Sequence, residues 1–158
     1  MAEADVLLTH NSNANKTASV SEYKDGKKVK THKTPKELAK QMIDAGWDKD
    51  TLVLAMCNTA CEDVSYNGVT TSFAGHLATE LSANLDGKAV TVIAPEGTVG
   101  VTKAGNFYTK DSTVSGKKQK KTKTTGIERW KSATSSGGGK ATISPLSQKT
   151  TNSLSAFE

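Results

Sequence analysis

The chain has 158 residues, of which 35% are hydrophobic and 23% charged, and its formal net charge is +5. That length suits one compact domain plus tails, and such a domain buries its core without needing metal or disulfide. The longest apolar stretch, Ala89–Pro95, falls far short of the ~20 residues that span a bilayer, which argues against a transmembrane helix.

Val6-Leu7-Leu8 is too short for the apolar region of a secretory signal, and no basic segment precedes it. Two cysteines, Cys57 and Cys61, cannot make a disulfide framework. The expectation is a soluble chain made in a reducing compartment, or one exported without a cleaved signal. Charge is unevenly spread. Residues 1–110 hold 12 Lys against 13 Asp or Glu, whereas residues 111–158 hold 9 Lys or Arg against 3 acidic residues. A basic segment of that kind can meet phosphates or acidic partners without specificity, or can simply stay solvated.

Asp5–His10 reads as a short buried strand, an apolar run with polar flanks. Ala18–Tyr23 and Lys28–Thr31 flank Asp25-Gly26, a favoured hairpin turn. Thr34–Gly46 reads as a helix. Thr34 and Glu37 form a Thr-x-x-Glu capping box, Pro35 suits the first helical position, and Gly46 can end the helix left-handed. Leu52–Cys57 is a continuous apolar run, as in a strand covered on both faces. Ser72–Leu85 is a second helix with Phe73, Leu77, Leu81 and Leu85 four residues apart, closed by Gly87. Ala89–Ala94 is a third buried strand, and Val99–Thr102 with Asn106–Tyr108 predict a hairpin.

This alternation predicts an α/β core over residues 5–110, a mainly parallel sheet with helices on both faces. From Asp111 the composition shifts, Ser and Thr supplying 17 of 48 residues, with Lys117–Lys121 and Gly137–Gly139 inside. Residues 111–158 therefore read as a basic, low-complexity extension, able to dock near Trp130.

In open α/β sheets function gathers at the carboxyl ends of strands. His10 and Cys57 end consecutive strands, and sheet neighbours lie about 4.8 Å apart. A thiolate needs a nearby imidazole to become an efficient nucleophile and to protonate its leaving group. His10 precedes Cys57 by 47 residues, histidine first, which is the caspase order. Both residues also have plainer readings, Cys57 as a small apolar filler and His10 as a surface or capping histidine.

Leu52–Ala60, Ser72–Ala78 and Val90–Pro95, taken together, resemble the carboxy-terminal toxin domains of bacterial polymorphic and Rhs-type effectors. Those domains are similar to the caspase-like (clan CD) cysteine peptidases. The resemblance runs over roughly residues 5–131, with Leu7-Leu8-Thr9-His10 matching the histidine strand and Arg129-Trp130 a tryptophan near the domain end. It implies a three-layer α/β fold, His10 as general base and acid, and Cys57 as nucleophile. It also implies the backbone N–H groups of Asn11 and Cys57 as the oxyanion site. The chain departs from the pattern where Asn11 replaces a glycine after the histidine, and where Ala60 and Cys61 follow Thr59.

Asn58, Thr59 and Glu96 sit at the same predicted rim and are candidate substrate contacts; Glu62, Asp63 and Glu96 either select a basic substrate side chain or, more simply, are solvated loop charges. Cys61 is a second thiol, either an alternative nucleophile or a redox partner. His76 lies on the second helix, beside its apolar face, and His32 precedes the first helix. Cys57, Cys61, His10 and His76 lack the paired spacing of a zinc site, and no phosphate-loop pattern occurs, so no metal or cofactor is expected.

The expected function is a cysteine-dependent hydrolase, most simply a peptidase acting as a bacterial toxin or effector. Its implied partners are a protein or peptide substrate and an immunity protein. Its implied course is from the bacterial cytoplasm, by secretion or direct delivery, into a target cell. The competing expectation is a noncatalytic binding or adaptor module whose basic tail engages nucleic acid or an acidic partner.

Overall fold

A computed structural model describes residues 5–12, 16–101, 103, 107–110, 130–137 and 140–146. Lys117–Lys121 and Ile127–Arg129 lie outside the described residues, as do Thr102 and Asn106 of the predicted hairpin.

The architecture is mixed α/β, built on a five-stranded sheet and two helices. Strands β1 (Asp5–Leu8), β5 (Thr51–Ala55) and β8 (Val90–Pro95) run parallel, with Leu8 opposite Ala55 and Val53 opposite Ile93. Helix α1 (Pro35–Asp44) carries the chain from β1 towards β5, and α2 (Phe73–Asn84) carries it from β5 to β8. Right-handed crossovers stepping the same way along a sheet place their helices on one side. Among the described residues both helices therefore share one face, not the two faces expected from the strand–helix alternation, and the sheet is mixed because β11 and β12 join it antiparallel. Leu38, Phe73, Leu77 and Leu81 form a single core with Leu52, Leu54, Met56, Val90 and Val92. Val53, Ala55, Ile93, Trp130 and Leu146 form the other face, where Val99 packs. Burial on both faces is why β5 and β8 read as unbroken apolar runs.

The helix ends follow their local chemistry. Thr34 caps α1 and exchanges hydrogen bonds with Glu37 in a capping box, and Ser72 Oγ accepts from Gly75 N–H at 2.9 Å to cap α2. The Thr34 backbone and then its hydroxyl hold the Glu37 carboxyl below its usual range, with Lys33 assisting against a small opposing effect of burial. Gly46 and Gly87 follow the helices at φ +94° and +79°.

A long hairpin, β3 (Thr17–Lys24) and β4 (Lys27–Lys33), turns through Asp25 and Gly26 at φ 52° and 75°. Two successive positive φ values make the turn whose twist matches antiparallel strands. β2 (His10–Ser12) adds to β3 and completes a three-stranded sheet. A second hairpin of the same kind, β6 (Val64–Tyr66) and β7 (Val69–Thr71), turns on Asn67-Gly68. β9 (Thr98–Val101) pairs with β10 (Phe107–Lys110).

Composition alone set residues 111–158 apart as an extension, yet two stretches of it are strands of the central sheet. β11 (Trp130–Ser135) pairs antiparallel with β8 from Trp130 opposite Pro95 to Ser135 opposite Val90, and β12 (Thr142–Pro145) pairs with β11. Small Ser, Thr and Ala side chains suit that position because the neighbouring strands already supply the bulk. Trp130 supplies the rest and is 1% exposed. Among the described residues no helix is long and apolar enough to cross a membrane.

Truncating Trp130 leaves a large cavity on the second face, so Trp130→Ala should cost about 3–5 kcal/mol of stability. Urea denaturation reads this directly, and an unchanged midpoint would remove Trp130 from the core. The stability that Glu37 contributes is present above the usual carboxylate range and is lost as pH falls through its lowered value. The advantage of wild type over Glu37→Gln in thermal melts should accordingly shrink on acidification.

Candidate active site at the carboxyl rim of the parallel strands

The β1–β5 register ends with Leu8 opposite Ala55, so residues 10 and 57 each lie two positions beyond the last pair. They leave neighbouring parallel strands at one level, on axes about 4.8 Å apart. From there the two segments diverge. After Leu8 the chain enters β2, where His10 pairs with Ser19 and Asn11 with Ala18. The Thr9 hydroxyl donates to the Ser19 carbonyl and ties this junction to β3. His10 is exposed and lines a cleft of about 830 Å³ between the end of β1 and the β3–β4 hairpin.

After Ala55 the chain turns at Cys57–Ala60, and this turn is bolted to its surroundings. Asn58 N–H donates to Gly97 O at 3.1 Å, Ala60 N–H to Pro95 O at 2.9 Å, and Val99 N–H to Cys57 Sγ at 3.4 Å. Ala74 N–H donates to Thr59 O at 3.0 Å, which fixes the turn to the start of α2 as well. Asn58 takes φ 57°, a left-handed conformation that asparagine tolerates better than other non-glycine residues. The turn thus holds the cysteine at the strand end in one orientation. Cys57 and Cys61 are both partly exposed and neither is disulfide-bonded.

His10 and Cys57 therefore each lie two residues beyond the last β1–β5 pair, but His10 belongs to the β2–β3–β4 sheet and Cys57 does not line the cleft that His10 lines. Thr59 is buried and its hydroxyl donates to Met56 O at 2.8 Å, so it shapes the turn and is closed to a substrate. Asn58 remains half-exposed at the rim. Glu96 is also half-exposed, 3.8 Å from the Lys131 ammonium of β11. Cys61 N–H closes the turn on Asn58 O at 3.2 Å.

His76 faces inward, 9% exposed, its Nε2 2.8 Å from the Val64 carbonyl and its ring edge-to-face with Tyr66 at 5.0 Å. With that nitrogen committed to a backbone carbonyl, the ring holds the β6–β7 hairpin against α2. The Tyr66 hydroxyl donates to Lys16 O, and its ionisation is pushed up by burial first and by the Glu37 carboxylate second. His32 Nδ1 lies 3.4 Å from Ser19 Oγ on the exposed hairpin. Among the described residues no three His, Cys, Asp or Glu side chains gather as a metal set.

Two cleft residues escape a motif-based reading: Lys28 and Lys30, exposed on β4. Their signal was the Lys-x-Lys-x-His alternation after Asp25-Gly26, which puts Lys28, Lys30 and His32 on one strand face. No protein-family model, curated protein or solved structure matches the chain.

Because Asn58 holds a left-handed backbone, Asn58→Gly should leave stability within a few tenths of a kcal/mol, whereas Asn58→Val should cost about 1–2 kcal/mol. Denaturant midpoints of the pair test whether the turn has this strain; equal midpoints would refute it.

Proposed function

We propose that this chain is a cysteine-dependent hydrolase, a peptidase with Cys57 as nucleophile and His10 as general base and acid. The observation that supports the reading is the in-register parallel pairing of β1 and β5, which ends both strands at one rim, with residues 10 and 57 each two positions beyond the last pair. In acylation the Cys57 thiolate attacks the peptide carbonyl carbon, a C–S bond forms, and the tetrahedral oxyanion is met by backbone N–H groups. Those of Asn11 and Cys57 are the assigned donors, and because a backbone donor serves, the asparagine side chain does not disqualify the site. The C–N bond then breaks as the His10 imidazolium gives its proton to the leaving amine. Water deprotonated by His10 hydrolyses the thioester and restores the thiol. Asn58 and Glu96 stand at the rim as substrate contacts.

In this reading the fold is the caspase-like three-layer type. Among the described residues the α1–α2 pair is one outer layer against the sheet. The cellular part rests on the resemblance alone: a toxin or effector domain of a bacterium, delivered into a target cell and held in check by an immunity protein.

A second reading has its own observation, the separation of Cys57 from the cleft that His10 lines. It makes the chain a noncatalytic binding or adaptor module for an acidic partner. Cys57→Ala and His10→Ala separate the two readings. Each should lower turnover of a fluorogenic peptide library by about 10³-fold or more, and iodoacetamide should do the same to wild type. Cleavage that survives Cys57→Ala would refute the hydrolase.

A further inference from the structure

The face of the small sheet that carries His10 is cationic. Its rows, set by the strand register, are His10–Ser19–His32, then Ser21–Lys30, then Tyr23–Lys28. Lys28 and Lys30 both line the cleft beside His10, Leu7 adds apolar wall, and no carboxylate is among the described lining residues. The acidic residue of the β3 strand, Glu22, pairs with Val29 in the register and so lies on the opposite face. There it is 3.2 Å from Lys33. The cleft lysines are thus exposed, and among the described residues no carboxylate lines the same cavity.

The position of the cleft decides which half of a substrate would enter it. The cysteine turn is held from the β8–β9 side by Gly97 and Val99, while His10 opens onto the hairpin side. An acyl-enzyme keeps the acyl half on sulfur, and the imidazole protonates the departing amine. The leaving half therefore extends on the imidazole side, into the lysine-lined cleft. Residues two apart on an extended strand repeat about every 6.7 Å, so Lys28 and Lys30 match carboxylates borne at alternate positions of an extended peptide.

We infer that the cleft is a subsite for acidic peptide, reading Asp or Glu at alternate positions on the carboxyl side of the cleaved bond. This inference rests on the His10–Cys57 reading for its cleavage part and on the cleft alone for its binding part. Two lysines on an exposed hairpin give a preference that ionic strength screens.

The test has two arms on the full chain. In the first, peptides cleaved by wild type are remade in matched pairs, Glu-x-Glu or Gln-x-Gln after the cut. The acidic member should have the higher kcat/KM, and Lys28→Glu/Lys30→Glu should lower the acidic-to-neutral ratio about tenfold, as reversal of two exposed charges would. In the second, a labelled Glu-x-Glu peptide binds the Cys57→Ala protein, with anisotropy reporting an affinity that falls with salt and with the same lysine reversal. Cleavage that depends on Cys57 but shows no acidic preference overturns the subsite and leaves the hydrolase standing. Lysine-dependent binding without any cleavage supports the subsite and removes the hydrolase. Displacement of the peptide by a single-stranded oligonucleotide at lower concentration than by unlabelled peptide overturns the assignment to carboxylates.

Discussion

Parallel pairing of three buried strands is the constraint on which the other features rest. Parallel neighbours cannot be joined by a tight turn, so each connection must climb over the sheet, and the two helices are those connections. Because β1, β5 and β8 are laid down in one direction, both helices fall on one face and pack against each other there. The same geometry delivers every strand end to one rim. His10, Cys57 and Glu96 share that rim as a consequence of topology, before any side-chain chemistry is considered.

The rim is rigid on one side and open on the other. Backbone hydrogen bonds from Asn58, Ala60 and Val99 lock the cysteine turn to the segment after β8, and Ala74 locks it to α2. His10 instead belongs to a short strand on a projecting hairpin, next to a wide cleft. The cysteine turn is thus held by hydrogen bonds, while the histidine lies on a separate small sheet that opens onto the cleft.

Much of this was legible in the amino-acid sequence where local chemistry and global fold agree. Thr34, Pro35, Glu37 and Gly46 mark α1 because each satisfies a different requirement of a helix end. Asp25-Gly26 marks its hairpin because only such pairs adopt two positive φ values readily. Val64–Tyr66 and Val69–Thr71 were less visible although Asn67-Gly68 lies between them, since three-residue strands carry too little alternation to register. Trp130–Ser135 was hidden for a different reason: its Ser, Thr and Ala side chains look like linker, and its pairing with β8 is fixed by contacts far away in the chain. The rim itself was legible as strand ends. The burial of Thr59, the inward turn of His76 and the lysine-lined cleft depend on how loops fold back, which no spacing encodes.

The late arrival of β11 has a consequence for synthesis. Val53, Ala55 and Ile93 leave the ribosome well before Trp130, the large side chain that joins them on their face of the sheet. At about 5–20 residues per second, the interval of roughly 35 residues between the end of β8 and the start of β11 lasts on the order of 2–7 s. For that time both faces of the nascent chain lack side chains that arrive late, Ala133 and Ala141 on the helical side and Trp130 and Leu146 on the other, and β8 lacks the strand that pairs with it beyond β5. A chaperone has those seconds in which to recognise it, and so does any neighbouring nascent chain.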